Sequence, residues 1–289
     1  MNKAVKNIFK IICYPLMYMV MQVAVTFIYM LIYGIVIGIK IGIDSAVSGK
    51  VPDPDDIHRF VTTSFDISLS LPVILSGGAA IFVIFMIFRN QWKKEKFWSF
   101  NKIREAPATI FLCAALGFAL NIFTDGVIGL LPIPEQEMPF DILFNDNFIF
   151  LFLSIALVAP VLEEIIFRGI IQARLAQMLR KLPAAIILQA LIFGVIHLNL
   201  IQGTYAFFLG IIIGLTYLWF DSIWFPVAVH VAYNGTSVIL SEVAGGIEIN
   251  DSVWIITTAA AFFLSAVLLL TLANRRTNTK AVYYNRWYY

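Results

Sequence analysis

The sequence reads Glu163-Glu164-Ile165-Ile166-Phe167-Arg168-Gly169 inside an apolar run that starts near Asn147 and fades near Ile171. Each charged side chain costs about 2.5–3.5 kcal/mol at mid-bilayer on insertion scales, and ionisable groups at that depth mark functional sites by default. On a helix Glu164 and Arg168 stand four residues apart in acid-first order, which favours an ion pair. Glu163 points about 100° away around the helix and lacks that local partner.

The composition is that of a polytopic membrane protein. The 289 residues are 60% hydrophobic and 13% charged, with a mean hydropathy of +0.86, whereas soluble domains are about 45–50% apolar and about 25% charged. The net charge of +2 is small, and we expect no nucleic-acid partner. Cys13 and Cys113 both lie in apolar runs and form neither a disulfide framework nor a zinc motif.

Eight apolar segments have the length of membrane spans. They cover Ile11–Ile39, Ser68–Phe88, Ala108–Leu131, Phe148–Ile171, Ala184–Leu200, Thr204–Phe220, Ile223–Leu240 and Val253–Ala273. Most of the 20 basic residues precede the first span or follow the second, fourth and eighth, so the positive-inside rule places both termini in the cytoplasm. The sequence thus predicts an all-α bundle of about eight transmembrane helices, forming a single integral membrane domain over residues 1–289.

Two of the three histidines, His197 and His230, fall inside the fifth and seventh predicted spans, while His58 lies in an acidic loop. Phe193 precedes His197 by four residues and Asn234 follows His230 by four, so each pair should share one helix face. Counted from the turn at residues 181–183, Glu164 and His197 lie about 25 and 21 Å along two antiparallel helices. His230 lies about 10 Å into its span, so we expect the polar groups to meet at one level, towards the cytoplasmic side.

A carboxylate beside a histidine in a desolvated pocket is suited to general-base chemistry. Glu163, which lacks the local ion pair, is the better candidate for that role, with His197 beside it. A purely packing network of Glu163, Glu164 and Arg168 is the alternative interpretation.

The motifs Glu-Glu-x-x-x-Arg, Phe-x-x-x-His and His-x-x-x-Asn, in this order in successive apolar segments, resemble the CAAX prenyl protease type II family, also called Abi or CPBP (CAAX proteases and bacteriocin-processing enzymes). The matching residues are Glu163, Glu164, Arg168, Phe193, His197, His230 and Asn234. The resemblance spans residues 148–240 and implies an intramembrane endopeptidase with that segment as its catalytic core. The implied substrate is a membrane-anchored peptide or protein, prenylated and CAAX-like or bacteriocin-like. The lipid bilayer is the other partner, and we expect a multi-pass protein of a bacterial plasma membrane.

Carried over to these positions, the resemblance implies that Glu163 and His197 activate the attacking water and that His230 and Asn234 stabilise the oxyanion. Glu164, held by Arg168, would support the site, and Phe193 would pack beside the substrate pocket. The family has also been described as metal-dependent, in which case Glu163, His197 and His230 would hold a divalent metal such as zinc. The chain has no His-Glu-x-x-His motif, and a metal-free and a metal-dependent mechanism both stay open.

Two other classes of function fit the same residues. A non-catalytic bacteriocin-immunity or membrane scaffold protein would keep the motifs but bind a partner without cleaving it. A transporter or ion channel could also use Glu, Arg and His in a membrane pocket. Pro160 and Pro226 are expected to kink two spans, but the paired broken helices that mark transporters are not evident.

Overall fold

The computed structural model describes residues 3–49, 70–95, 106–132, 147–243 and 250–276, and within these ranges every regular element is helical. The helices are α1 (Lys3–Ser48), α2 (Ser70–Glu95), α3 (Ala106–Gly129), α4 (Phe148–Leu179), α5 (Leu182–Val195), α6 (Leu200–Phe220), α7 (Trp224–Val243) and α8 (Asp251–Arg275). The all-α prediction is confirmed, and each predicted span overlaps one of these helices. His58 and the extreme ends of the chain lie outside the described residues, and the cytoplasmic location of both termini stays a prediction.

Six helices in the described ranges are long and apolar enough to cross a membrane, which makes the chain a polytopic membrane helical bundle. They are α1, α2, α3, α4, α6 and α8. Helix α5 has only 14 residues, about 21 Å against roughly 30 Å of hydrocarbon. Helix α7 has 20 residues, but His230, Asn234 and several hydroxyl side chains lower its apolar character. The expectation of about eight spans is therefore confirmed for six of them.

Helix α5 ends earlier than the predicted fifth span. Its last residue is Val195, and the N–H groups of His197 and Leu198 bond the carbonyls three residues back, at 3.3 and 3.2 Å. Leu198 adopts the left-handed region with φ 56°, which ends the helix. His197 thus lies in the turn after α5, and the expectation that it sits inside the helix is wrong. The turn closes at Asn199, whose side chain caps α6 by accepting the N–H of Gln202 at 2.8 Å.

Helices α6 and α7 form the centre of the bundle because they contribute to both buried apolar clusters. One cluster joins them to α2, α4 and α5, with part of α1 packed against it. The other joins them to α3 and α8. At Gly117 of α3 an added Cβ would collide with the carbonyl oxygen of Val229 on α7. The two backbones touch there, as small residues allow between membrane helices, and this contact fixes the position of α7.

Candidate active site

Helix α4 changes its hydrogen-bond register four times. Its sections are α-helical at Phe148–Leu151, π-helical at Phe152–Val158, α-helical at Ala159–Glu164, π-helical at Ile165–Gln172 and α-helical at Ala173–Leu179. π-Helical turns are rare and are frequent at functional sites. The adjacent carboxylates Glu163 and Glu164 are the last two residues of the α-helical section that lies between the two π-helical sections. This position marks the middle of α4 as the candidate site.

Glu164 forms the ion pair that the sequence predicts. Arg168 Nη1 donates to Glu164 Oε1 at 3.0 Å, and both side chains are 0% exposed. Arg168 Nη2 donates to the carbonyl oxygen of Gly210 on α6 at 3.2 Å, and its Cζ lies 5.0 Å from the ring centroid of Phe193. The buried guanidinium therefore has a carboxylate, a carbonyl and an aromatic face as partners, which a fully desolvated charge requires.

His230 of α7 lies between the two carboxylates. Its Nδ1 is 2.7 Å from Glu164 Oε1, and its Nε2 is 3.7 Å from Glu163 Oε2. Because an ionised carboxylate only accepts hydrogen bonds, Nδ1 carries the proton and Nε2 faces Glu163. The Glu163 side chain is 22% exposed and that of Glu164 is 0% exposed, so Glu163 is the carboxylate that a bound molecule can reach.

His197 approaches from the turn after α5. Its Nδ1 is 2.7 Å from the carbonyl oxygen of Phe193, and since a carbonyl can only accept, Nδ1 donates this bond. In the neutral ring Nε2 is then the basic nitrogen. The buried Phe193 ring makes edge contacts with both imidazoles, at centroid distances of 4.9 Å to His197 and 5.8 Å to His230. Phe193 therefore fixes the spacing of the two histidines.

Asn234 of α7 is held by a hydrogen bond to the backbone of α4. Its Nδ2 donates to the carbonyl oxygen of Ile155 at 2.9 Å, in the first π-helical section of α4. A carboxamide nitrogen carries two protons, so one remains for a further acceptor.

These groups surround a cavity of about 370 Å³. Glu163, Phe193, His197, His230 and Asn234 line it, whereas Glu164 and Arg168 lie behind its wall. The three motifs thus meet around one space, as the count of helical rise predicted.

Helix α1 forms part of the cavity wall, which the motif pattern did not predict. Pro15, Tyr18, Met19 and Gln22 all line the cavity, and their spacing places them on one face of α1. Gln22 was a detectable signal because a carboxamide in an apolar run needs a polar neighbour. A second missed residue is Gln189 of α5, fully buried, whose Nε2 donates to Gly210 O at 2.9 Å beside Arg168.

A metal site needs several donor side chains that point at one position. Within the described ranges no three His, Cys, Asp or Glu side chains gather in a way that could hold a metal ion. Of the expected ligands, His197 and His230 each use Nδ1 in a bond within the protein, to Phe193 O and to Glu164, which leaves Nε2 of both rings facing away from these bonds. In the described part of the chain these residues therefore do not gather as a zinc site.

Comparison with known proteins finds a family model that covers the segment holding this site. Residues 145–236, which hold all three motifs, match the family model described as type II CAAX prenyl endopeptidase Rce1-like, so the resemblance is confirmed. The membrane-embedded CAAX protease MroQ of Staphylococcus aureus (strain USA300) is 26% identical over 186 residues, covering 60% of this chain and 73% of that protein. No solved structure matches the chain. Helices α1, α2, α3 and α8 lie outside residues 145–236, the interval that matches the family model.

Proposed function

Because residues 145–236 match the family model of the Rce1-like type II CAAX prenyl endopeptidases, we propose that this chain is an intramembrane endopeptidase with residues 148–240 as its catalytic core. It cleaves a peptide bond of a membrane-associated substrate, prenylated and CAAX-like or bacteriocin-like, in a bacterial plasma membrane. The observation that carries the proposal is the His230 imidazole between Glu163 and Glu164 at the wall of a cavity within the helical bundle.

Glu163 is the general base of the proposed reaction. It faces the cavity and is free of the Arg168 ion pair that holds Glu164. It takes a proton from a water molecule as the water oxygen attacks the substrate carbonyl carbon, and His197 Nε2 accepts from the same water. The proton is then passed to the leaving amine nitrogen as the carbon–nitrogen bond breaks.

Asn234 and His230 are the proposed donors to the oxyanion. Asn234 has a second amide proton beyond the one used on Ile155 O. His230 can donate from Nε2 when its ring is protonated. Preorganised donors of this kind contribute more in a desolvated site than in water.

Glu164 and Arg168 act through His230 in this scheme. The carboxylate accepts from both side chains on one oxygen, and it therefore holds the imidazole ring with Nε2 turned to the cavity. Arg168 balances the charge and ties the pair to α6 through Gly210 O. These two are positioning residues because neither lines the cavity.

The proposal is tested with purified protein in lipid vesicles and two fluorescent, membrane-anchored peptides, one prenylated at a C-terminal CAAX sequence and one bacteriocin-like. Wild type should cleave at least one peptide, and Glu163→Ala and His197→Ala should each lose at least about 10² in rate. Ser237→Ala, which alters the cavity wall outside the motifs, is the matched control and should keep most of the activity. Equal cleavage by wild type and both motif variants would refute the assignment. If the wild-type protein cleaved neither peptide, the non-catalytic binding alternative would be favoured.

A further inference from the structure

The first π-helical section of α4 leaves one carbonyl without its backbone donor. The N–H of Ala159 donates to the carbonyl oxygen of Ser154, five residues back, and not to that of Ile155, four residues back. In the π register the donor to Ile155 O would be residue 160. Residue 160 is a proline, which has no N–H. Neither of the two helical donors therefore reaches Ile155 O.

A side chain from another helix supplies the missing proton. Asn234 Nδ2 donates to Ile155 O at 2.9 Å across the interface between α7 and α4. Ile155 and Asn234 both line the cavity, so this bond lies in its wall. A carbonyl at that depth needs a donor because unsatisfied backbone groups are costly in a membrane interior. The contact thus holds the Asn234 amide plane in one orientation.

We propose that Pro160 is a positioning residue for Asn234. By withholding a backbone N–H, Pro160 reserves the Ile155 carbonyl for the Asn234 amide, and this bond aims the second amide proton at the cavity. The consequence for catalysis rests on the proposed function, whereas the hydrogen bond does not. A proline that only begins the α-helical section would predict a different outcome on substitution, which allows the two roles to be separated.

The decisive variant is Pro160→Ala. Alanine restores an N–H that competes for Ile155 O, and it removes a proline from within a helix, where proline is unfavourable. We expect thermal stability to stay equal or rise while kcat falls by about tenfold or more and KM stays unchanged. This loss should not exceed the roughly 10²–10³ that removal of an oxyanion donor costs. A purely structural proline predicts the same stability change with wild-type kcat, and that result would overturn the proposal.

Two controls define the effect. Pro183→Ala replaces a proline in the first turn of α5, where a missing N–H is tolerated, and should leave kcat unchanged. The double variant Pro160→Ala/Asn234→Ala should be no slower than Asn234→Ala alone, because both substitutions act on the same contact. If the kcat losses of the two single variants multiplied in the double variant, the proposal would be contradicted.

A spectroscopic measurement reports on the contact without any substrate. Ile155-Ala156 is the only Ile-Ala dipeptide in the sequence, so protein labelled with 1-¹³C isoleucine and ¹⁵N alanine gives one carbonyl signal by pairwise NMR. Asn234→Ala should shift that signal in the wild-type background and leave it in place in the Pro160→Ala background. No shift in the wild-type background would overturn the contact. The expected shift in a protein that cleaves neither peptide would uphold the positioning contact and reject the proposed function.

Discussion

His230 Nδ1 lies 2.7 Å from Glu164 Oε1, although 66 residues separate the two in the chain. The same oxygen accepts from Arg168 Nη1 at 3.0 Å. One carboxylate oxygen therefore joins the catalytic candidate of α7 to the ion pair of α4, inside a region where all three side chains are almost completely buried.

This relationship predicts that the two neighbouring glutamates differ in their effect on stability. Glu164→Gln should lower the free energy of unfolding by about 3–5 kcal/mol, because it leaves the buried Arg168 charge without its partner. Glu163→Gln should change it by less than about 1 kcal/mol, because Glu163 is partly exposed and lies 3.7 Å from His230. Both should lower the cleavage rate. Unfolding curves in detergent measure the difference, and equal midpoints for the two variants would contradict it.

The donor arrangement predicts that cleavage does not depend on a metal ion. Activity of the purified protein should survive treatment with a zinc chelator and dialysis, since the expected ligands do not gather as a metal site in the described residues. Metal analysis of the active sample gives an independent readout. Loss of cleavage on chelation, with recovery on addition of zinc, would show that the side chains of Glu163, His197 and His230 rearrange around a metal.

The contact between α3 and α7 predicts a strong effect at a single glycine. Gly117→Ala should destabilise the protein by about 1–3 kcal/mol, because the new Cβ would meet the Val229 carbonyl oxygen, a backbone atom. Gly78→Ala is the matched control: it lies within α2 with nothing within 4 Å of the added Cβ. That substitution should leave stability unchanged or raise it, since alanine favours helix. Similar thermal midpoints for both variants would show that α3 and α7 can separate without cost.

The wall formed by α1 predicts an effect on substrate binding. Gln22→Ala and Tyr18→Phe should each raise KM by roughly 2–10-fold, the range of one neutral hydrogen bond, with little change in kcat. Val20→Ala is the control, because Val20 is on the same helix but 59% exposed and outside the cavity. An unchanged KM in both wall variants would mean that the substrate does not contact α1.

Local features were predictable from the sequence. The helical segments follow from apolar runs of bilayer length, since a backbone in lipid must satisfy its hydrogen bonds within the segment. The Glu164–Arg168 pair follows from a four-residue spacing that any helix turns into a neighbour contact. The short α5 was not predictable in the same way. Leu198 and Leu200 extend the apolar run past the helix end, and hydropathy does not register the left-handed turn at Leu198.

The partner of each polar side chain depended on packing. His230 was expected to stabilise the oxyanion with Asn234, and the structure places it against both carboxylates. The Asn234 partner is a backbone carbonyl exposed by a change of helical register next to Pro160. Helix α1 carries no motif, so its contribution to the cavity could not be read from the motif pattern.

The sequence by itself determined that this chain is a membrane helical bundle with one buried acidic and basic cluster, and it identified the seven motif residues. Those properties follow from hydrophobicity and from spacing within a single helix. Only the tertiary structure decided that His230 divides its two ring nitrogens between Glu163 and Glu164, and that Arg168 reaches Gly210. These contacts join residues on different helices, and their distances depend on close approaches, such as that of Gly117 to Val229, which arise only when the helices pack together.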